Sequence, residues 1–224
     1  MTLYSYQYTD ALRQQIERHL GSFQRRSQAD SSSLTRAAVV IAISKIEKGD
    51  NTDSDAGHGA GHNAGIYLTV RSSKLRKHAG QYALPGGKLD TGETEQQAGL
   101  RELSEELGIN LSESEILGLL DDFPTRSGFA ITPVVVWNNS DSPLRPNPDE
   151  VAAVHEIPLA ELTAPDLMTL QETDTTPILS IAPPSVGTSV YSPTAAIIYQ
   201  FAEVALLGRE SRVAHYEQPD WAWR

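Results

Sequence analysis

An α/β domain built on a mixed β-sheet is what this sequence predicts, and three observations predict it. Residues 36–44 and Phe129–Trp137 are apolar runs rich in β-branched residues, which read as strands, the first buried on both faces. Between them, Glu95–Leu107 consists of residues that favour helix and stops at Gly108. Towards the end, residues 194–207 form a second helix, apolar around much of its circumference and closed by Gly208.

The remaining elements follow in order. Ala11, Leu12, Ile16 and Leu20 recur at helical spacing with polar residues between them, giving an amphipathic helix that ends near Gly21 and packs on the domain edge. Residues 27–35 are polar and Ser-rich, a loop or linker. Residues 45–65 are rich in Gly, Asp and Asn and join two strands as a long mobile insert. His58 and His62 sit in that insert, but no third ligand or rigid frame is evident, so an ordinary loop is expected rather than a metal site. Residues 66–70 are the next strand. Pro85, Gly86 and Gly87 form a turn, and residues 88–92 a polar loop, with Thr91 or Thr94 as the cap of the helix that follows. Residues 116–120 read as a strand, 121–127 as a polar turn, 150–157 as a strand and 158–162 as a short helix start. Residues 163–193 are rich in Thr, Ser and Pro, with hairpin pieces near Ile178 and Val190. In the tail, Trp221 and Trp223 are expected to pin the chain end to the body. One domain over residues 1–224 is expected, its core at about 36–207, with the first helix and the tail packed on it.

Composition bounds the partners. The formal net charge of −11 argues against a nucleic-acid backbone or an anionic membrane surface, and it means that an anionic substrate needs local help from Arg, Lys or a metal ion. The absence of cysteine excludes disulfides and Cys-based zinc sites. The first residues lack a basic start followed by an apolar core, and no apolar run approaches a membrane span, so a cytoplasmic protein is the default expectation.

The chemistry concentrates on the helix Glu95–Leu107. Glu102, Glu105 and Glu106 lie at i, i+3 and i+4, so one turn carries all three carboxylates on one face. Like charges this close repel, and the helix C-terminus disfavours anions. A bound cation would relieve both effects, and hard carboxylate oxygens suit Mg²⁺ or Mn²⁺. Read without their context, the same acids would describe a solvated helix end. The context is Gly87, five residues, Glu93, seven residues, Arg101, Glu102, an aliphatic residue, one residue, Glu105, Glu106, one residue, Gly108 and an aliphatic residue. These positions match the Nudix box throughout, and the chain resembles a Nudix hydrolase.

That resemblance implies an α/β/α sandwich and cleavage of a diphosphate linked to a nucleoside, with divalent metal neutralising phosphate charge and activating water. Glu102 and Glu106 become the primary metal ligands, with Glu105 as a further ligand or general base. A backbone carbonyl of Gly86 or Gly87 completes the coordination. Glu93 and Arg101 become a structural pair tying the loop to the helix. Glu150 is a second candidate for the general base, because some Nudix enzymes use a loop acid outside the box. Upstream, Leu68-Thr-x-Arg71-Ser72, Arg76, Gly80 and Leu84-Pro-Gly-Gly87 are similar to the pattern of the coenzyme A pyrophosphatase group, with Tyr67 and Leu84 departing from it. Residues 144–159 and the helix opening at Thr194 also resemble that group. The implied reaction cuts coenzyme A or its derivatives into 3′,5′-ADP and 4′-phosphopantetheine. Arg71, Arg76, Lys77 and Lys88 cluster near the box in an otherwise acidic chain, and arginine can grip phosphate with a bidentate fork; Arg71, Arg76 and Lys88 are the candidate substrate-binding residues. Alternative substrates are ADP-ribose, NADH and dinucleoside polyphosphates, and an alternative class is a non-catalytic Nudix-fold ligand-binding module. A small-molecule nucleotide is the expected partner, and a homodimer stays open.

Overall fold

Thr9 accepts a hydrogen bond from the Leu12 amide and so caps helix α1 (Asp10–Ser22), whose buried residues Leu12, Ile16 and Leu20 form the face that the sequence marks. The computed structural model describes residues 5–27, 33–46, 62–75, 78–172, 177–216 and 219. Arg76, Lys77, His58, Trp221 and Trp223 therefore lie outside the described residues, as do positions 47–61 of the insert.

Strands β1 (Thr35–Ile46) and β2 (Asn63–Arg71) both run further than their apolar cores. Their antiparallel pairing continues through Ser44–Gly65, Lys45–Ala64 and Ile46–Asn63. The described ends of the insert are thus ladder, because backbone pairing does not need apolar side chains. His62 contributes its carbonyl to the Tyr8 amide at 2.9 Å. Beyond Ile43 and Ile66 the two strands part company. The fork is filled by the chain between them: β3 (Tyr82–Ala83) pairs with β2, and β4 (Gly86–Lys88) pairs with β1 in the register Gly86–Val39, Gly87–Ala38 and Lys88–Ala37. The turn expected at Gly86 and Gly87 is therefore a strand. A Cβ at Gly86 would lie 2.3 Å from the Ala38 carbonyl, so the close approach of β4 to β1 requires glycine there.

Helix α2 (Glu95–Leu107) keeps its expected bounds. Thr94 caps it in a reciprocal box with Gln97, and Gly108 ends it in the left-handed conformation at φ 71°. Then follow β5 (Ile116–Leu119), β6 (Phe123–Pro124), β7 (Phe129–Trp137), β8 (Val151–Pro158) and α3 (Leu159–Leu162). β7 lies parallel to β1 and antiparallel to β5 and β6, and β8 lies antiparallel to β2, so the sheet is mixed. β9 (Met168–Gln171), β10 (Ile178–Ile181) and β11 (Val190–Tyr191) form a second antiparallel sheet, of which β10 and β11 are the pieces expected near Ile178 and Val190. Helix α4 (Thr194–Phe201) continues as a π-helical turn, Ala202–Leu206.

The strands explain the layers. Along β1, Ala38, Val40 and Ala42 pack with Ala98, Leu103 and Leu107 of α2. The alternate residues Ile41 and Ile43 pack on the other face with α1 and α4. Val134 and Val136 against Val135 and Trp137 repeat the division on β7. A strand covered on both faces is apolar throughout, which is why these runs lack polar alternation. The fold is α/β with a mixed sheet between helices.

The polar turn expected at 121–127 is a correction. Asp121 and Asp122 are buried, and β6 starts beside them. Asp121 accepts from Arg212 Nη1 at 2.8 and 2.9 Å, from Gln200 Nε2 at 2.9 Å and from the Arg26 amide at 2.7 Å. Asp122 accepts from Arg25 Nη2 and Thr132 Oγ1, both at 2.6 Å. Arg25 and Arg36 also pair with Glu95 at the start of α2. Hydrogen-bonded pairing is what allows these carboxylates to be buried, and the partners come from segments far apart in the chain.

Candidate metal centre and adjoining cleft

The last turns of α2 present Glu102 and Glu106 towards β4. Gly87 lies so close to Glu102 that a Cβ there would sit 2.1 Å from its carboxylate oxygen. A third acid, Glu150, enters from the loop before β8. That loop is fastened to the end of α2: the Arg145 amide donates to the Leu107 carbonyl at 2.8 Å and the Asn147 amide to the Glu106 carbonyl at 2.9 Å. The Asn147 carbonyl accepts from the amides of Glu150 and Val151 at 3.0 and 2.8 Å, and the Ser72 amide donates to the Glu150 carbonyl at 2.8 Å. These helix-end bonds satisfy α2 carbonyls that the helix leaves open and at the same time aim Glu150 inward. Carboxylate oxygens of Glu102, Glu106 and Glu150 all lie within 4.8 Å of one another.

Glu105 is not brought into this cluster. One residue before Glu106 it is rotated away around the helix, and its carboxylate reaches Arg101 Nη1 at 3.2 Å with about half its side chain exposed. The Glu93–Arg101 pair is present and two-pronged, at 2.9 and 3.1 Å, and Arg101 Nη2 also donates to the Lys88 carbonyl at 3.1 Å. Arg101 Nη1 reaches Glu102 at 2.8 Å as well. The guanidinium thus ties the loop after β4 to the helix.

Burial pushes the Glu106 carboxyl up to about 8, with Glu102 and Glu150 adding to the rise while Arg71 and the Gly86 amide oppose it. Burial also raises Glu102, against the pull of Arg101. Desolvated acids that face one another without a cation between them are a poor arrangement for the protein alone and a good one for a hard divalent ion. The oxygen-only donor set and its spread suit Mg²⁺ or Mn²⁺, so the residues fit the metal that the sequence implied.

Glu106 binds its proton more tightly when folded, with about 8 against the ordinary 4.5. Between those values the folded state holds more protons than the unfolded one, so metal-free stability falls as pH rises through the window and levels off above it. The loss is expected to be on the order of 5 kcal/mol, at about 1.4 kcal/mol for each pH unit of that window. Thermal melts in chelator should show it, and saturating Mg²⁺ should remove most of it because the ion binds the deprotonated acids. A metal-free melting temperature that does not fall between about pH 5 and pH 8 would contradict this account of Glu106.

A cleft of about 480 Å³ opens beside the acids. Arg71, Gly86, Gly87 and Lys88 line it, and the first three of these also border the acids. Arg71 ends β2 at an irregularity in its pairing with β8, and its Nε is buried with no hydrogen-bond partner among the described residues. Lys88 holds its Nζ 5.5 Å from the centre of the Phe129 ring. Sequence reasoning missed the rest of the wall. His78, the only non-glycine with positive φ among the described residues (58°), lies at the cleft and contacts Gln81 at 3.1 Å. Val190, Pro193 and Ile197 reach it from the far end of the chain, and no local pattern marks residues that meet a site only through the fold.

An α/β fold with three clustered carboxylates beside a cleft that Arg71 and Lys88 border offers a donor set of the kind that suits a hard divalent cation. Residues 59–177, just over half of the chain, match the NUDIX domain. The chain is 36% identical over 148 residues to the uncharacterized Nudix hydrolase NudL of Cronobacter sakazakii, covering 65% of this chain and 70% of that protein. It is 47% identical over 98 residues to NudL of Escherichia coli O6:H1, covering 43% of this chain and 51% of the relative, so the match spans about half the length of that protein. Among solved structures, a MutT/nudix family protein from Enterococcus faecalis aligns over 80% of this chain and 62% of its own, at 17% identity and a TM-score of 0.43. The chain belongs to the Nudix hydrolase family. No helix among the described residues is long and apolar enough to cross a membrane.

Proposed function

We propose that this protein hydrolyses a diphosphate linked to a nucleoside in a metal-dependent reaction, and that its substrate is coenzyme A or a derivative, cut into 3′,5′-ADP and 4′-phosphopantetheine. The observation that carries the reading is the meeting of Glu102, Glu106 and Glu150 within 4.8 Å, beside a cleft that contains Arg71. Glu102 and Glu106 are the residues that would hold Mg²⁺ or Mn²⁺. When bound, the ion supplies charge neutralisation at the phosphates and lowers the pKa of water. Glu150, carried on a clamped loop, is the acid placed to accept a proton from the attacking water. Glu105 acts at most from the rim, through Arg101. Arg71, which lines the cleft beside Glu106, is the cation proposed to bind a phosphate oxygen, a bond to a charged group.

The coenzyme A assignment is supported by the stretch from Leu68 to Gly87, whose ends the fold draws together: Leu68–Arg71 closes β2, and Leu84–Gly87 fills the fork beside it. Arg76 lies outside the described residues, and its role in reading the 3′-phosphate is part of the proposal. The test is product analysis by mass spectrometry after incubation with coenzyme A, ADP-ribose, NADH and a dinucleoside polyphosphate in ¹⁸O-labelled water with Mg²⁺ or Mn²⁺. Production of 3′,5′-ADP and phosphopantetheine supports the assignment. Cleavage of another member of the panel instead would reassign the substrate, and binding without cleavage would favour a ligand-binding module.

Arg71→Ala is expected to raise KM roughly tenfold or more for coenzyme A and its 3′-dephospho form alike, the value of a hydrogen bond to a charged group. A loss confined to the 3′-phosphorylated compound would move Arg71 from the diphosphate to the 3′-phosphate.

A further inference from the structure

Only part of the cleft is accounted for by phosphate binding. Among the described residues its titratable side chains, apart from tyrosines, are Arg71, His78 and Lys88, and no carboxylate of those residues lines it, in a chain of net charge −11. An anion is therefore drawn to it and a ribose diol, which acidic groups commonly hold, finds no such partner. The remaining surface is largely apolar: Tyr82, Phe129, Ile131, Val190, Pro193 and Ile197. At about 480 Å³ it lies within the range of small-molecule pockets, roughly 300–1,000 Å³.

The wall opposite the sheet is built rather than incidental. Residues 189–194 and Ile197 supply it, and Thr194 Oγ1 donates to the Tyr82 carbonyl at 3.2 Å, fastening the start of α4 to β3. Val190 and Ile197 are also buried in the core that holds α1 and α4. All of this lies beyond residue 177, where the match to the NUDIX domain stops. Gly86, Gly87 and Arg71 belong both to this cleft and to the surroundings of the acids, so a ligand whose phosphates sit at the acids can extend into the cleft.

We propose that the cleft binds the aliphatic arm esterified to the diphosphate, that residues 189–197 read this arm, and that the nucleoside half stays outside. The proposal rests on the diphosphate hydrolysis above, and it makes the arm the group that selects the substrate. The bond broken is still the phosphoanhydride: the oxygen of water joins one phosphorus, the bridging oxygen leaves with the other phosphate, and the arm is unchanged.

The test uses ADP esterified on its terminal phosphate with methyl, butyl, hexyl or octyl groups, assayed beside coenzyme A, with binding measured by calorimetry in Ca²⁺. Affinity and kcat/KM are expected to rise with chain length, by up to roughly fourfold per methylene, the factor set by about 0.8 kcal/mol for each buried methylene, until the cleft is full. Ala83→Phe, which places a ring in the cleft, should shift the best chain to a shorter one. Ile131→Thr, which keeps the branched shape but adds a hydroxyl, should flatten the rise, and it serves if the first variant does not fold. A flat series in the wild-type protein overturns the proposal. If coenzyme A is inert while the series climbs, the coenzyme A assignment fails and the apolar subsite stands. If coenzyme A is cleaved and the series is flat, the reverse holds.

Discussion

Glu106→Gln is expected to lower turnover by about a thousandfold or more while raising the melting temperature of the metal-free protein at pH 8. The two effects have one cause. Glu106 is 5% exposed, and burial with Glu102 beside it pushes its carboxyl up to about 8. Without a cation this acid is a burden on the fold, and a neutral isostere removes the burden. On the proposed metal-dependent reading the same oxygen is a ligand, and losing it would remove several kcal/mol of transition-state stabilisation, which at about 1.4 kcal/mol per factor of ten gives the thousandfold figure. Steady-state rates with Mg²⁺ and melts with chelator check both halves. A variant that loses activity and stability together would mean that Glu106 is chiefly a packing residue. Glu105→Gln is the control within the same helical turn. Its carboxylate is half exposed and turned to Arg101, so its loss should be smaller by roughly a hundredfold or more.

The largest effect on stability is expected at Asp121, which the sequence presents as part of a turn. Asp121→Ala strips two bonds from Arg212, one from Gln200 and one from the Arg26 amide. The Arg212 side chain is only 20% exposed and lies over the Phe23 ring at 4.4 Å, so its charge is left with little water. Removing one member of a buried pair costs about 3–5 kcal/mol, and the lower end applies here because Glu210 still reaches Arg212 at 2.6 Å. For a chain of this size that is roughly a 10 °C drop in melting temperature. The pair can be separated from simple packing by adding Arg212→Met. The double variant should recover part of the loss, because the orphaned charge is gone. Strict additivity of the two substitutions would show that Asp121 and Arg212 do not act on each other.

Much of the fold was legible because its signals are local. The helix at Glu95–Leu107 announces its cap at Thr94 and its stop at Gly108, and both are as written. The runs on β1 and β7 are apolar because both faces are covered, and a continuous run carries that information by itself. The reading failed where pairing overrode composition. Gly86 and Gly87 look like a turn, but β1 needs a partner strand without side chains where β2 has left it. Asp121 and Asp122 look solvated because polar residues usually are, and nothing nearby in the sequence says that Arg25 and Arg212 will meet them.

By itself the sequence determined that Glu102, Glu105 and Glu106 share one side of a helix, since i, i+3 and i+4 spacing places them there whatever surrounds it. Only the tertiary structure decided what each of them faces. It joined Glu150 to Glu102 and Glu106 by bonding a distant loop to the helix end, and it gave Glu105 to Arg101. It also closed the cleft with residues from the far end of the chain. Helical spacing is fixed by backbone geometry over a few residues, whereas partners such as Glu102 and Glu150, or Arg71 and Val190, meet through burial and contacts between distant segments, which no local pattern encodes.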